Sequence, residues 1–305
     1  MVNQETELII RSKNPSGKVK KWDYKPYLYI LPSIIILIFI FIYPLIQNIY
    51  RSFFRFVGGK AIFFGFNNYK FLLIKDYLTR SAFSHNLMIL LIIPIMLLLA
   101  ILFAVLLTEP IRFRGSYQTI IFIPYIISIV AIGIVLSRML RLDGIINFIL
   151  DKIGLHFLVN DWLGNPKIAI FTVMSVIIWR ELPFGIILFI AGISNINPEM
   201  YEAAKIDGAN WWQTLFYITI PQLTAIIKFY LVYNVMVVLA WIFTYVFVMT
   251  RGGPIKSTNI MELRIYNLAF SEHNMGMASA LAILLFLVIF IFIYLQFRIR
   301  KISTI

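Results

Sequence analysis

Two adjacent charged residues interrupt an otherwise apolar stretch of this 305-residue chain. Arg180 and Glu181 lie near the middle of a segment that predicts a buried helix. An ionised side chain is costly in hydrocarbon unless it meets water or a partner, so such residues often mark a solute or ion pathway. Neighbouring residues on a helix point about 100° apart. We therefore expect that these two charges do not simply neutralise each other, and that at least one meets water or a partner subunit.

A polar and aromatic group follows in the next apolar segment. Asn234, Trp241 and Tyr245 recur at spacings of seven and four residues, which predicts one shared helix face. An amide offers hydrogen bonds and aromatic rings offer apolar faces, which together suit the hydroxyls and CH groups of a sugar. The alternative is that this face packs against a partner subunit. The candidate solute-pathway residues are Arg180, Glu181, Phe184, Asn234, Trp241 and Tyr245.

Segment 197–221 has the pattern of a short helix, a turn and a second short helix. Asn197 is a good N-cap, and Pro198 suits the first helical position. Gly208 can adopt a positive φ and end the first helix in a tight turn. Residues 210–217 predict the second helix, and Pro221 marks the entry to the next apolar segment.

The first of these short helices is small on one side, at Ala203 and Ala204, and acidic at its start, at Glu199. We expect that it does not bury itself among the apolar segments of its own chain. A helix of this kind suits a groove on another protein.

The elements that must position these residues are membrane-spanning helices. The chain is 61% hydrophobic and 13% charged, with a mean hydropathy of +0.87, against roughly half apolar and a quarter charged in soluble domains. Apolar stretches of about 20 residues recur, the length that crosses about 30 Å of hydrocarbon. They predict an all-α polytopic protein with six spans, at 28–50, 85–107, 117–137, 168–192, 222–249 and 276–297.

The distribution of basic residues predicts the orientation. Lys and Arg flank the first and last spans, which favours the cytoplasm for both termini. Segment 51–83 also holds six Lys and Arg, yet this topology places it outside. The predicted organisation is a basic cytoplasmic segment, a first span, an outer loop, a five-helix core that contains 197–221, and a cytoplasmic tail, at 1–27, 28–50, 51–84, 85–297 and 298–305.

Composition and motifs exclude several classes of function. The net charge is +13, but no basic stripe with interleaved aromatic residues lies outside the spans, so anionic lipid is the expected partner and nucleic acid is not. There is no cysteine, and the three histidines are scattered, so we expect no metal site. Residues 252–258 lack the spacing of a P-loop, and we find no catalytic motif. An ion-coupled secondary transporter remains the alternative, whereas a structural scaffold would not explain the polar residues in the fourth and fifth spans.

Segment 197–221 contains three short motifs, each at a fixed distance from the next: Glu202-Ala203-Ala204, Asp207-Gly208-Ala209 and Ile218-Thr219-Ile220-Pro221. They resemble the EAA signature of binding-protein-dependent ABC permeases, in which this segment is the coupling helix that docks into the ATPase subunit. The resemblance implies that Glu202 makes the polar contact, that the two alanines allow close approach and that Gly208 makes the turn. Leu215 departs from the family's usual Phe, a role that Phe216 can fill.

Further motifs along the chain resemble one branch of this family, the maltose and glycerol-phosphate permeases. The matching residues include Gly65-Phe66-Asn67-Asn68-Tyr69, Gly144-Ile145-Ile146-Asn147 and Gly252-Gly253-Pro254. The resemblance implies a type I (MetI-like) importer permease in a bacterial cytoplasmic membrane. It also implies a second homologous permease, two ATPase copies that bind ATP and Mg, an extracytoplasmic solute-binding protein, and no cofactor on this chain. The solute stays open among oligosaccharide, which we favour, monosaccharide and glycerol phosphate.

Overall fold

The computed structural model describes residues 25–110 and 112–302. The chain divides into two compact units, Met1–Gln47 and Asn48–Ile305. The predicted basic segment 1–27 lies outside the described residues up to position 24, and the tail 298–305 does so after position 302.

Within the described residues, four helices are long and apolar enough to cross a membrane: Leu28–Ser52, Tyr77–Thr108, Ala169–Ser194 and Met275–Gln296. Two bent pairs pass the same test when each is taken as one span. Arg114–Ile126 meets Ile129–Met139 at 94°, and Trp211–Gln222 meets Thr224–Ala240 at 72°. Counting each pair once gives up to six spans, the number that the sequence predicts, although the second pair begins at Trp211, within segment 197–221, and ends at Ala240 rather than at 249.

The helices of the described residues, in chain order, are α1 (Lys25–Leu37), α2 (Tyr43–Ser52), α3 (Asn67–Lys70), α4 (Tyr77–Leu90), α5 (Ile92–Thr108), α6 (Arg114–Ile126), α7 (Ile129–Met139), α8 (Ile145–Lys152), α9 (Ala169–Ser194), α10 (Pro198–Ile206), α11 (Trp211–Thr214), α12 (Ile220–Gln222), α13 (Thr224–Ala240), α14 (Phe243–Met249), α15 (Met261–Tyr266) and α16 (Met275–Ile302). Single π-helical turns cover Ile38–Ile42, Phe71–Lys75, Leu215–Thr219 and Asn267–Ser271, and a 3-10 turn covers His156–Leu158.

The third predicted span, 117–137, is not one straight helix. The backbone leaves the helical conformation at Ile127, with φ −70° and ψ 141°, and at Ser128, with φ −54° and ψ 133°. A break of this kind frees backbone carbonyls at the end of α6, and these must find other donors inside a membrane. The bend is therefore a place where a side chain from another helix is needed.

The outer loop predicted at 51–84 is structured. Strands β1 (Phe54–Val57) and β2 (Lys60–Phe63) pair antiparallel around Gly58 and Gly59. Both glycines have positive φ, at 53° and 76°, as a tight two-residue hairpin requires. The second predicted span begins at Tyr77 rather than at 85, because the Asp76 side chain accepts from the Leu78 amide and caps the helix.

Small residues allow the spans to approach closely. Helix α9 packs along α5, where Ala100 and Ala104 are fully buried. On another side of α9, a Cβ at Gly185 would lie 2.6 Å from Tyr230 Oη of α13. Small residues at helix contacts are a main source of packing between membrane helices. Helix α9 is thus fixed against both neighbours, which places Arg180 and Glu181 inside the bundle.

Candidate solute pathway and coupling segment

The two charges on α9 form an ion pair. Arg180 Nη1 lies 2.6 Å from Glu181 Oε1, and the two side chains are only 14% and 6% exposed. The expectation that these neighbours do not neutralise each other is therefore wrong. The angle between two Cβ directions limits only the first atoms of a side chain, and the long arginine side chain reaches around the helix to the carboxylate.

Arg180 also provides a hydrogen-bond donor for the free backbone carbonyls at the break in the third span. Its Nη2 donates to the Tyr125 carbonyl at 3.0 Å, and the Ile127 carbonyl lies 3.5 Å away. The guanidinium carbon lies 4.9 Å from the centre of the Tyr125 ring, a cation–π contact. Arg180 therefore ties α9 to the break between α6 and α7, which the sequence did not reveal.

Glu181 reaches a third helix. Tyr245 Oη on α14 donates to Glu181 Oε1 at 2.5 Å, and Tyr245 is 1% exposed. The structure thus brings Arg180, Glu181 and Tyr245 together in one buried polar cluster. This cluster joins residues from the third, fourth and fifth crossings.

The predicted shared face of Asn234, Trp241 and Tyr245 does not form. Helix α13 ends at Ala240, and α14 begins at Phe243 after an irregular residue, Trp241, with φ −124°. The break resets the helical phase, so Trp241 is 64% exposed while Tyr245 is buried. Asn234 is buried too, but it donates to the Tyr230 carbonyl of its own helix at 2.8 Å.

A row of aromatic rings borders the polar cluster, and Phe184 is its centre. The Phe184 ring stacks with Tyr125 at a centroid distance of 5.7 Å and contacts Tyr233 at 4.5 Å. Phe229 continues the row beyond Tyr233 at 6.5 Å. Of these residues the sequence analysis named only Phe184. The four-residue spacings from Arg180 to Phe184 and from Phe229 to Tyr233 were the available signal.

The first helix of the 197–221 segment begins as predicted. Asn197 Oδ1 accepts from the Glu199 amide at 3.1 Å, and Pro198 is the first helical residue. Its end has the expected turn, with Gly208 at φ +78°. The Ala209 amide donates to the Ala204 carbonyl at 2.9 Å and the Gly208 amide to the Lys205 carbonyl at 3.2 Å, the two bonds of a Schellman motif.

The second helix of the segment has its own cap. Asn210 and Gln213 form a reciprocal capping box, with bonds of 2.9 Å and 2.7 Å between side chain and backbone. The helical path runs from Trp211 to Gln222, and the 72° bend into α13 follows directly after Pro221 and Gln222. The predicted role of Pro221 at the entry to the fifth span agrees with this bend.

The exposed surface of α10 is divided. Glu202, Ala203 and Asp207 are exposed, and Ile206 is 85% exposed. Ala204 is only 8% exposed, so it packs within its own chain, whereas the sequence analysis gave it the same role as Ala203. A solvent-facing Ile next to small and acidic residues is typical of a surface that another protein covers.

One contact ties this segment to a span, and a second joins two parts of the segment. Trp211 Nε1 donates to Glu109 Oε1 at the end of α5, at 3.1 Å. The Tyr201 hydroxyl lies 3.2 Å from Thr219 Oγ1. The expectation that α10 stays apart from the rest of the chain therefore holds for one face only.

Within residues 25–110 and 112–302, no three His, Asp or Glu side chains come together to hold a metal ion. The sequence expectation that this chain binds no cofactor stays a prediction.

Comparisons with known proteins agree with the resemblance. Residues 79–301 match the family described as binding-protein-dependent transport system inner membrane component. A probable ABC transporter permease of Pyrococcus horikoshii is 36% identical over 84% of this chain and 89% of its own length. The lactose transport permease LacF of Rhizobium radiobacter is 31% identical over 84% and 86%. The arabinooligosaccharide permease AraP of Halalkalibacterium halodurans is 34% identical over 67% and 65%.

A solved structure has the same fold. A chain of a bacterial ABC transporter involved in the import of the acidic polysaccharide alginate superposes with a TM-score of 0.81 at 26% identity, over 92% of this chain and 96% of that one. A second crystal structure of the alginate transporter, in complex with an alginate pentasaccharide-bound periplasmic protein, gives a TM-score of 0.78 at 26% identity, over 90% and 93% of the two chains.

Proposed function

Because this chain belongs to the family of binding-protein-dependent transport system inner membrane components, it is a permease subunit of an ABC importer, and we propose that its solute is an oligosaccharide. ATP hydrolysis belongs to a separate ATPase subunit. Family membership also removes the ion-coupled secondary transporter from the alternatives.

The observation that carries the proposal is the aromatic row beside the buried polar cluster. Tyr125 stacks on Phe184, and the Tyr233 ring is tilted against Phe184 on its other side. Arg180 with Glu181 offers charged hydrogen-bonding groups at one side of the row. A sugar ring has an apolar CH face that packs on aromatic rings and hydroxyls that need polar partners. A row of several rings suits a chain of sugars better than one. The names of the lactose and arabinooligosaccharide relatives point the same way.

Segment 197–221 is the proposed contact with the ATPase. Its exposed side offers Glu202 for a polar contact, Ala203 for close approach and Ile206 for an apolar contact. Asp207, Gly208 and Ala209 hold the turn, and Pro221 starts the bend into the fifth span. Movement of the ATPase then reaches the spans through the Trp211–Glu109 bond. ATP and Mg are held by the ATPase.

The further partners of the proposal are a second homologous permease, two ATPase copies and an extracytoplasmic solute-binding protein. The chain lies in the cytoplasmic membrane, and we propose that both termini face the cytoplasm. The basic flanks of the first and last spans support this orientation.

The solute proposal is tested by uptake in proteoliposomes that contain the whole transporter and its binding protein. Phe184→Ala should raise the concentration of oligosaccharide needed for half-maximal uptake by about tenfold, the upper part of what one aromatic contact supplies. Phe171→Ala is the matched control, since Phe171 lies on the same helix, is 50% exposed and lies outside the row, and it should leave uptake unchanged. Unchanged uptake by Phe184→Ala would remove the aromatic row from the pathway.

The coupling proposal is tested by crosslinking. The chain has no cysteine, so Glu202→Cys introduces a unique thiol on the exposed side of α10. A crosslink to the ATPase that changes with nucleotide is expected. Labelling of that thiol from outside intact cells would overturn both the docking surface and the orientation.

A further inference from the structure

The outer loops of this permease are more basic than its inner loops. In the segments assigned to the outside, 51–83, 138–167 and 250–275, Lys and Arg outnumber Asp and Glu by 13 to 6. In the inner loops 108–116 and 193–221 the ratio is 3 to 4, and the basic termini 1–27 and 298–305 bring the inner total to 12 to 7. Short loops normally carry their Lys and Arg excess on the cytoplasmic side. An excess on the other side therefore points to a negatively charged partner there.

Part of this charge surrounds a polar cavity of about 220 Å³ between the loop that follows α14 and the end of α15. Its lining includes Arg251, Lys256, Asn259, Arg264, Asn267 and Glu272. Three cationic side chains thus face one cavity with a single carboxylate among its lining residues.

Arg264 forms the fixed floor of this cavity. It is 5% exposed, and its Nε and Nη2 both lie 3.0 Å from Asp76 Oδ2. Its Nη1 contacts Glu272 Oε1, and Asp76 is held in turn by the Thr79 hydroxyl at 2.5 Å. Arg264 is therefore neutralised by its own partners and gives the cavity its shape rather than its charge.

Arg251 and Lys256 supply the net charge. Both are exposed, and within residues 25–110 and 112–302 neither side chain makes an ion pair or a hydrogen bond. Both have left-handed backbone conformations, with φ of 51° and 63°, which are unfavourable for such residues and concentrate at functional sites. The two cations are therefore unneutralised and held at a defined place.

The loop that carries them is tightly bonded. Thr250 Oγ1 lies 2.7 Å from Thr258 Oγ1, and Thr258 Oγ1 donates to the Gly253 carbonyl at 2.8 Å. At its tip Ile255 is 89% exposed. A large apolar side chain held out between two cations is a feature of protein interfaces, which combine an apolar contact with a charged rim.

Glu262 is one of the six acidic residues of the outer segments, but it offsets less than one full positive charge. Burial raises the pKa of the Glu262 carboxyl to about 7, although a hydrogen bond from Asn86 acts in the opposite direction. At neutral pH a substantial share of this group is uncharged, so the outer face keeps its positive balance.

We propose that the Arg251–Lys256 cavity receives a carboxylate side chain of the extracytoplasmic solute-binding protein, with Ile255 as the apolar contact beside it. The inference rests on the proposed function, because it needs both the outer location of this loop and the binding protein. A protein is favoured over an acidic saccharide, since a soluble sugar gains nothing from Ile255 and the basic residues extend over three segments. Charge complementarity of this kind speeds association and orients the partner.

The test uses the complete transporter in nanodiscs and the purified binding protein that supports its uptake. Arg251→Glu with Lys256→Glu should raise the Kd for the binding protein about tenfold or more at low salt, because repulsion replaces attraction. The wild-type Kd should rise with salt far more than that of the double variant. Lys152→Glu with Lys167→Glu is the matched control: it reverses two exposed outer charges that do not line the cavity, and its Kd should change much less.

A second variant separates the apolar contact. Ile255→Ser should weaken binding of the same protein while leaving the salt dependence as in the wild type. Reversal of one acidic residue of the binding protein to Lys should restore affinity for the double Glu variant, and this residue then identifies the partner carboxylate.

Three results would count against the inference. An unchanged Kd and salt dependence in the double Glu variant would overturn it. So would normal binding together with a loss of uptake limited to acidic saccharides, since the occupant would then be the solute. A wild-type transporter that binds no solute-binding protein would overturn the proposed function as well, whereas normal ATP-dependent uptake by the double variant at saturating binding protein would keep that function intact.

Discussion

The coupling segment and the buried polar cluster are built in opposite ways. The bonds that shape α10 and its turn join near neighbours, such as Asn197 to Glu199 and Ala209 to Ala204. The bonds of the cluster join distant residues, Arg180 to Tyr125 and Tyr245 to Glu181, which lie 55 and 64 positions apart. One region is fixed by local chemistry, and the other exists only when three crossings are assembled.

This difference separates the two roles. A segment that holds its own shape can present the same surface to an ATPase while the spans rearrange. A cluster that depends on three helices changes whenever one of them moves, which suits a pathway that opens and closes. We therefore expect substitutions in the cluster to affect stability most, and substitutions in the segment to affect coupling at little cost to the fold.

The largest effect should come from removing Arg180. Arg180→Met leaves the Glu181 carboxylate buried without its cation, which costs about 3–5 kcal/mol. The thermal midpoint of the purified permease should fall accordingly. The double variant with Glu181→Gln should recover much of this loss, because no unpaired charge remains. A double variant as unstable as the single one would contradict the ion-pair assignment.

Tyr245→Phe should have the next largest effect. It removes a hydrogen bond to a charged group, which contributes about 1.5–3 kcal/mol. Denaturation of the purified protein measures the loss. Tyr217→Phe is the control, since Tyr217 is 79% exposed and should tolerate the change. Equal effects of the two variants would show that Tyr245 does not hold the spans together.

Gly208→Val should act on coupling. A β-branched residue at φ +78° is disfavoured by about 1–2 kcal/mol, and the space around the added Cβ is empty within 4 Å, so strain rather than collision is the cause. Uptake should fall more than tenfold while membrane insertion and thermal midpoint stay close to the wild type. Gly208→Asn, which tolerates the left-handed conformation, should retain most activity. Normal uptake by the Val variant would show that coupling does not depend on the turn at Gly208.

Asn197→Ala should have the smallest effect. The loss of an N-cap costs about 1 kcal/mol, and α10 has a second anchor at its Schellman turn. Uptake should fall a few-fold, and hydrogen exchange of the first turn of α10 should become faster while the spans keep their protection. Faster exchange throughout the bundle would mean that the segment is not locally stabilised.

The locally bonded region is also the one that its residues predict well. Capping by Asn197 and the turn at Gly208 follow from side-chain chemistry within a few positions, and the structure has both. The hairpin around Gly58 and Gly59 carries a similar local signal, although the sequence prediction for this segment is an outer loop. Apolar length alone predicts six crossings, and the described residues contain four candidate spans, or up to six when each bent pair is one span.

The cluster could not be predicted in the same way. The shared face of Asn234 and Trp241 assumed an unbroken helix, and nothing in Ala240-Trp241-Ile242 marks a break, since neither Gly nor Pro is there. The partner of Arg180 is a backbone carbonyl, which has no sequence signature, and its neighbour Tyr125 lies on another crossing. Contacts that arise from tertiary assembly need the fold before they can be identified.

The bend in the third crossing has one more consequence. Arg180 donates a hydrogen bond to the Tyr125 carbonyl at the point where two half-helices meet at 94°. Rotation of one half-helix against the other therefore changes the distance between Arg180 Nη2 and the Tyr125 carbonyl. A pair of probes at positions 125 and 180 would report the distance between the third and fourth crossings at each step of the transport cycle.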